Sequence, residues 1–330
     1  MRVYVADELQ NCPTIDIISR EIGLFQSAIE PALFNEVEKI QRCDVILVPH
    51  DAYFFDKDKD YVKYLNEISR YKPLVFSDRG DFPKKTNIRR GISLRVALGP
   101  GESAKNKILI PYNVESLERL PLRLYSDKPQ LSFVGYVPRF SKGRALKSLL
   151  QSPLHPFQGN ASYIRKMSVG KLEKTNFDSK IIKRDTYGAH LKTVENVTLS
   201  REEYLNSIMY SDFVLTPRGD ANQSARFYEI LSAGRIPIVP NSRMRFPVPI
   251  ESFPQVIQSL LNLRVGVNRT FDNAILSSWK QLGEQSNYES CQREIRTFFI
   301  EHFEFNAFIK RLFASSITCL SPKFGSGESQ

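Results

Sequence analysis

The stretch from Asp212 to Val239 concentrates residues that could bind a charged ligand. It opens with an apolar run suited to a buried strand and passes through a Pro-Arg-Gly turn at 217–219. Asn222 and Ser224 then stand where a helix could begin, and Gly234 precedes a second apolar run. The pattern predicts a strand, a flexible turn, a helix and a further strand.

This arrangement is typical of an anion site at the carboxyl edge of a sheet. Exposed backbone N–H groups and the positive end of the helix dipole attract a diphosphate, and Arg218 adds forked donors beside them. Glu229 follows Ser224 by about one and a half helical turns. A carboxylate there can accept hydrogen bonds from ribose hydroxyls.

Continuous apolar runs in the first 120 residues predict parallel strands that are buried on both faces. These runs are Arg2–Val5, Asp44–Pro49, Pro73–Phe76, Ile92–Val96 and Lys107–Ile110. Apolar residues at helical spacing between the second and third runs predict a crossover helix over Lys59–Tyr71. The first part of the chain is therefore expected to contain a βαβ unit.

The second part also alternates strands and helices. The predicted elements are strands at Leu131–Gly135, Asp212–Leu215 and Ile236–Val239, and helices at Lys142–Leu150, Gln223–Ala233, Gln255–Leu263, Asp272–Leu282 and Glu289–Leu312. Prolines and charges make 111–129 the expected interdomain connection. We predict an N-terminal Rossmann-like domain over 1–120, a C-terminal one with trailing helices over 121–315, and a flexible tail over 316–330.

Composition bounds the class of protein. With 330 residues, 42% hydrophobic and 25% charged, the chain can bury full cores and is not a disordered or collagenous protein. It has no apolar run near the roughly 20 residues that span a bilayer, no signal-peptide core and no CxxC pair. A reducing, cytoplasmic location is expected. The net charge of +10 favours polyanions, phosphorylated substrates or an anionic membrane surface.

The whole string from 212 to 239 resembles the signature of the exostosin family of glycosyltransferases. The positions that match are Pro217, Arg218, Gly219, Ser224, Arg226, Phe227, Glu229 and Pro237. Looser similarities follow in the family's order: Cys43–Pro49, Ile108–Tyr112, and Leu131–Gly135 with the trailing Arg139 and Arg144. The resemblance covers roughly 40–250.

The resemblance implies an α/β GT-B fold, with two Rossmann-like domains that face a central cleft. It implies an inverting transfer of a hexosyl, pentosyl or glucuronosyl group from a UDP-sugar to a glycan or lipid-linked acceptor, in surface polysaccharide synthesis. No cofactor or metal is expected beyond the nucleotide-sugar substrate. The protein is expected in the cytoplasm, with a peripheral position at the inner face of the membrane as a further option, and without a nucleic-acid partner.

The resemblance also implies roles for individual residues. The expected nucleotide-binding residues are Arg218, Gly219, Ser224, Arg226, Glu229, Arg139 and Arg144. Arg218, with Arg139 or Arg144, would neutralise the departing diphosphate. Ser224 either donates to a phosphate or caps the helix. Arg226 either contacts the donor or supports the loop through Glu229 or a carbonyl.

An inverting transferase also needs a base for the acceptor hydroxyl. The carboxyl ends of the N-terminal strands offer His50 and Asp51 after one strand, and Asp78 and Asp81 after the next. We predict that His50, Asp51 and Asp81 are the catalytic candidates.

Three alternatives stay open at this point. The run Asp56–Asp60 contains the D-x-D pattern that metal-dependent transferases use, although alternating Asp and Lys also suit a solvated surface. A non-catalytic glycan- or nucleotide-binding partner subunit would keep the fold without the base. A nucleic-acid-binding protein would also fit the charge, but the sequence has no helix-turn-helix, zinc-finger or RRM signature.

Overall fold

A computed structural model of the chain describes residues 2–6, 35–78, 87–99, 101–138, 160–185, 197–219, 221–263 and 268–315. The chain divides into two compact units. One comprises Met1–Leu98, Glu102–Pro111 and Glu304–Gln330, and the other comprises Gly99–Gly101 and Tyr112–Phe303. The division into two compact units does not test the domain boundaries that we predicted at residues 120 and 315. They stay predictions.

The first unit is built on a parallel sheet. Its six described strands are Arg2–Val5 (β1), Asn35–Glu36 (β2), Val45–Asp51 (β3), Leu74–Ser77 (β4), Gly91–Arg95 (β5) and Lys107–Leu109 (β6). They lie in the order β2-β1-β3-β4-β5-β6, and every described pair is parallel. Parallel strands buried on both faces need continuous apolar runs, and β3 and β4 have them.

Helices accompany this first sheet at Ala52–Phe55 (α1), Lys59–Ile68 (α2) and Phe305–Ser315 (α9). Asp58 caps α2, because its Oδ1 accepts hydrogen bonds from the N–H groups of Asp60 and Tyr61, each at 3.0 Å. The apolar stripe of α2, including Leu65, packs against β3 and β4. The predicted crossover helix is therefore confirmed, and it ends three residues earlier than Tyr71.

The second unit holds another parallel sheet. Its four described strands are Gln130–Tyr136 (β7), Asp178–Arg184 (β8), Phe213–Leu215 (β9) and Ile236–Ile238 (β10), in the order β10-β9-β7-β8. The chain leaves β7 for β8 on one side and then crosses to β9 on the other. The strand order therefore reverses between β7 and β9, and such switch points are where open α/β sheets bind ligands.

Six helices belong to the described part of this unit: Ala161–Leu172 (α3), Val197–Tyr210 (α4), Ala225–Ser232 (α5), Gln255–Gln258 (α6), Asn268–Leu282 (α7) and Gln285–His302 (α8). The largest core cluster joins the sheet to α3, α5, α7 and α8 through aromatic packing that includes Phe227, Trp279 and Phe298. Ile295, Phe298, Phe299 and Phe303 belong to this core cluster. The single helical segment predicted over 289–312 is two helices, which are separated at Phe303 and Glu304.

A buried polar network holds the amino edge of the second sheet. Asp212, which is fully buried, accepts hydrogen bonds from Arg123 Nε at 2.7 Å, Gln130 N at 2.7 Å and the Tyr288 hydroxyl at 2.6 Å. Burial raises the pKa of Tyr288, and the Asp212 charge raises it further. Arg123 comes from the predicted connection, 111–129, so this segment packs onto the second unit.

The predicted α/β class with two Rossmann-like parallel-sheet units is confirmed. Helix Lys142–Leu150 was predicted in a segment that lies outside the described residues. No helix in the described ranges has both the length and the apolar character that a bilayer span requires.

Candidate functional site at the carboxyl edge of the second sheet

The predicted strand–turn–helix forms at the switch point. β9 ends at Leu215, the turn follows, α5 begins at Ala225 and β10 begins at Ile236. Gly234 has a φ of +69°, a left-handed conformation that glycine adopts without a steric penalty, so it ends α5. The local pattern read from the sequence is thereby confirmed.

The turn is held by a buried glutamine. Gln223 donates from Nε2 to the Arg245 carbonyl at 2.9 Å, and its Oε1 accepts from the Tyr228 hydroxyl at 2.7 Å. The Gln223 carbonyl accepts from Gly219 N at 3.2 Å. These bonds tie the Pro-Arg-Gly turn to α5 and to the loop after β10. The turn is therefore fixed in shape before any ligand arrives.

An arginine from α3 joins the two strand ends at the switch point. Arg165 donates from Nη1 to the Tyr136 carbonyl at 3.2 Å and from Nη2 to the Arg218 carbonyl at 2.8 Å. Tyr136 ends β7, and Arg218 lies three residues after β9. Arg165 thus places a guanidinium group between the segments that Rossmann-like sheets use for ligand recognition.

Arg218 and Arg226 add two more guanidinium groups to this edge. Arg218 is buried and donates from Nε to the Gly219 carbonyl at 3.2 Å. Arg226 donates from Nη1 to the Val134 carbonyl and lies against Gly135, so it contacts the carboxyl-terminal part of β7. Its two expected roles, contact with the donor or support of the loop, stay predictions. A carbonyl oxygen is a neutral acceptor, so each of these bonds positions a guanidinium group without neutralising its charge.

Glu229 lies in a cluster formed by α4 and α5. Its Oε1 accepts from Arg201 Nη1 at 2.7 Å, and its Oε2 accepts from the Tyr204 hydroxyl at 2.9 Å. Its side chain is 13% exposed. Arg201 also pairs with Glu115 at 3.1 Å. Each carboxylate oxygen has more than one acceptor position, so Glu229 can still accept from a ribose hydroxyl while Arg201 and Tyr204 orient it.

Tyr204 brings the two arginines of this cluster together. The guanidinium carbons of Arg201 and Arg226 each lie 5.3 Å from the centre of the Tyr204 ring. Burial raises the pKa of Tyr204 well above its ordinary value, and the Glu229 charge raises it further. Tyr204 therefore remains a neutral donor to Glu229. Burial opposes the charge of Arg201, but Glu229 outweighs this effect and raises the pKa of Arg201.

Ser224 is the N-cap residue of α5, yet its side chain makes no capping hydrogen bond.

Five residues predicted from the sequence lie in the second unit, on the turn after β9 and on α5: Arg218, Gly219, Ser224, Arg226 and Glu229. The predicted Arg139, Arg144 and Asp81 lie outside the described residues.

The candidate bases belong to the first unit. His50 and Asp51 lie within β3, which is longer than predicted and has an irregular register between Val48 and Asp51. Asp51 is buried and accepts a hydrogen bond from Ser77 Oγ at 2.9 Å. Asp78 forms a buried ion pair with Arg95 at 2.7 Å.

Two aspartates of the run Asp56–Asp60 have hydrogen-bond partners within the first unit. Asp58, at the centre of the run, caps α2, and Asp56 Oδ1 accepts from Asn87 N at 3.2 Å. In the described ranges, no group of three or more His, Cys, Asp and Glu side chains is placed to hold a metal ion.

Sequence reasoning missed Arg165, Arg201 and Tyr204. They belong to helices that were not predicted, and their partners in the site lie 25 to 53 residues away along the chain. No local pattern in the sequence reports such contacts.

No protein-family model matches the chain, and no curated protein matches it. Solved structures give distant similarities. An alpha-glucosyltransferase in complex with UDP-glucose and abasic-site DNA is 12% identical with a TM-score of 0.43, over 96% of this chain and 98% of that one. An alpha-glucosyltransferase in complex with UDP is 11% identical with a TM-score of 0.42, over 96% and 99%. The catalytic domain of starch synthase IV from Arabidopsis thaliana, bound to ADP and acarbose, is 10% identical with a TM-score of 0.37, over 84% and 73%.

Proposed function

We propose that the protein is a glycosyltransferase of the exostosin type that takes its sugar from a UDP-sugar. The observation that carries the proposal is the arginine-rich carboxyl edge of the second sheet, where Arg165, Arg218 and Arg226 surround the switch point and Glu229 stands on the adjoining helix. A nucleoside diphosphate needs this combination: cations and helix N–H groups for the diphosphate, and a carboxylate for the ribose.

Each group has a specific task in the proposed reaction. Arg218 and the N-terminus of α5 bind the diphosphate and stabilise its charge as the bond to the sugar breaks. Glu229 accepts from the ribose hydroxyls, with Arg201 and Tyr204 as positioning residues. Asp51 is the proposed base that takes the proton of the acceptor hydroxyl, with His50 and Asp81 as the other candidates.

We further propose an inverting, metal-independent reaction with a glycan or lipid-linked acceptor, in surface polysaccharide synthesis. A non-catalytic glycan- or nucleotide-binding partner subunit is the second candidate. Such a subunit would also have the arginine-rich edge and could bind the donor. Turnover of the UDP-sugar therefore distinguishes the transferase from the partner subunit, and donor binding does not.

The test is calorimetric and thermal-shift titration with UDP, GDP and CMP, in EDTA and in Mn²⁺. UDP is expected to raise the melting temperature in both buffers, since a ligand that binds only the folded state stabilises it by mass action. Glu229→Gln is expected to weaken UDP binding about tenfold or more, as one charged hydrogen-bond acceptor is lost.

Glu251→Gln is the matched control, because Glu251 is an exposed glutamate of the same unit outside this edge. It is expected to bind UDP like the wild type. Absence of UDP binding in both buffers would refute the donor site. Binding that requires Mn²⁺ would refute the metal-independent reaction, and binding that Glu229→Gln leaves unchanged would refute the assignment of Glu229.

A further inference from the structure

The first unit carries a groove that the proposed reaction does not use. It has a volume of about 1020 Å³ and runs between α2 and the segment before β5. Its lining residues are Lys59, Val62, Lys63, Asn66, Glu67, Ser69, Arg70, Asn87, Arg89 and Arg90. Five of them are cationic and one is a carboxylate, so the groove is strongly positive.

The wall of the groove is built by Asn66. Its Nδ2 donates to the Asn87 carbonyl at 3.1 Å, and its Oδ1 accepts from Arg89 N at 2.9 Å. Asp56 accepts from Asn87 N at 3.2 Å. These bonds fix the segment 87–90 against α2, which holds Arg89 and Arg90 opposite the helix. The cationic side chains therefore stand on a defined scaffold.

The cations of the groove have no ion-pair partner in the described part of the first unit. Within residues 2–6, 35–78 and 87–111, apart from the undescribed position 100, none of the five forms an ion pair. Of the nearby acids, Asp56 and Asp58 accept backbone N–H groups, which leave their charges in place, and Asp58, Asp60 and Glu67 are exposed. The five lining cations outnumber the single described lining carboxylate, Glu67, so the described lining of the groove favours an anionic ligand.

The distribution of charge indicates the shape of that ligand. The cations extend from Lys59, at the first residue of α2, to Arg70, beyond its end. A ten-residue helix is about 15 Å long, so a single phosphate could meet only part of this row. A chain that carries negative charges at intervals could meet all of it.

The lining also distinguishes between kinds of anion. Among the lining residues that the structure describes, none is an aromatic side chain on which a base could stack, and the one apolar residue, Val62, is 9% exposed. A bilayer presents its phosphates on a broad surface, which fits a concave groove poorly. The chemistry therefore favours recognition of charge along a single chain, without readout of bases or contact with acyl groups.

We propose that this groove binds a linear chain of phosphate groups, through Lys59, Lys63, Arg70, Arg89 and Arg90. The binding is electrostatic, so it should fall steeply with salt concentration. The site lies in the first unit and does not depend on the proposed donor site in the second.

The experiment compares two variants of the full chain that lose the same charge. Lys63→Gln with Arg90→Gln removes one lysine and one arginine from the groove. Lys174→Gln with Arg293→Gln removes one of each from exposed positions in the second unit. Binding is measured by calorimetry with linear polyphosphate and by anisotropy with labelled oligothymidylate, over a series of salt concentrations. Vesicles of phosphatidylcholine with and without phosphatidylglycerol form a separate arm.

The groove variant is expected to bind polyphosphate about tenfold more weakly. Its slope of log K against log salt should be shallower by about 2, roughly 1 for each lost contact. The control variant should match the wild type, and both should bind UDP equally. Similar binding of polyphosphate and oligothymidylate, or a preference for polyphosphate, supports recognition of the phosphate chain. A preference for oligothymidylate would show contacts to bases or sugars and would overturn the proposal. Equal losses in both variants, or binding to anionic vesicles alone, would overturn the proposal.

Discussion

Gly135→Ala tests whether Arg226 packs as the structure describes. Gly135 is buried in β7, and a Cβ added there would lie 2.5 Å from Arg226 Nη1 and 3.3 Å from its Cζ. The guanidinium group cannot simply move aside, because it donates to the Val134 carbonyl and lies 5.3 Å from the centre of the Tyr204 ring. The added methyl must therefore displace an anchored group.

The expected magnitude follows from two opposing effects. Overpacking a well-packed site costs about 1–3 kcal/mol. Replacing a strand glycine by alanine returns about 0.5–1 kcal/mol, because the unfolded chain loses freedom. Gly135→Ala should therefore lower the free energy of unfolding by up to about 2.5 kcal/mol. In an Arg226→Ala background the methyl has room, so the same substitution should be neutral or stabilising, and the two should couple by about 1–3 kcal/mol.

The assay is urea unfolding followed by the fluorescence of Trp279, the single tryptophan of the chain. Trp279 is buried in the second unit, so its signal reports that unit. Gly170→Ala is the control: Gly170 lies in α3 and a Cβ there meets nothing within 4 Å, so it should stabilise by up to about 1 kcal/mol. Additivity of Gly135→Ala with Arg226→Ala would refute the packing.

Three further predictions concern the second unit, and Trp279 fluorescence checks the two that involve its unfolding. Asp212→Asn should cost about 3–5 kcal/mol, because it removes the buried charge that pairs with the partly exposed Arg123, and a loss below about 1 kcal/mol would contradict the network. Tyr204→Phe should weaken UDP binding while leaving the fold intact, since only a donor to Glu229 is removed; unchanged affinity in calorimetry would show that the hydroxyl does not position the carboxylate. Burial raises the pKa of the Cys291 thiol from 9.0 to about 12, so the folded state keeps a proton that the unfolded state loses. Stability should therefore fall as the pH rises from about 9 to about 12, more steeply in the wild type than in Cys291→Ala, and identical slopes would contradict this contribution.

Most of the strands could be predicted because parallel strands buried on both faces leave an apolar run in the sequence. β8 could not, because it lies at the edge of its sheet, and its residues, Asp-Ser-Lys-Ile-Ile-Lys-Arg, are mostly polar and only partly buried. The break between α8 and α9 was missed for a different reason. Apolar residues continue across Phe303, so the pattern gives no sign that the helix ends there.

The sequence likewise revealed some residues of the candidate site and not others. Arg218, Ser224 and Glu229 could be found because they lie within one strand–turn–helix whose parts are adjacent in sequence. Arg165 and Arg201 come from other helices, and only tertiary packing brings them to this edge. The contact between Gly135 and Arg226 likewise joins residues 91 positions apart, so the sequence does not predict it. The structure explains the glycine, because a Cβ at this position would collide with the Arg226 guanidinium group.

The short strand β9 lies between a structural network at its amino end and the candidate site at its carboxyl end. Asp212 and its hydrogen-bond partners lie at the amino end of β9, and Arg218 lies beyond its carboxyl end. The three residues of β9, about 10 Å of extended chain, separate the two groups. Substitutions further apart than this distance usually act independently on stability. Substitutions in the turn after β9 should therefore add their own cost in stability without weakening the Asp212 network. Natural or directed evolution could therefore change the residues that contact a ligand at the carboxyl end of β9. The stabilising hydrogen-bond network at its amino end would stay the same.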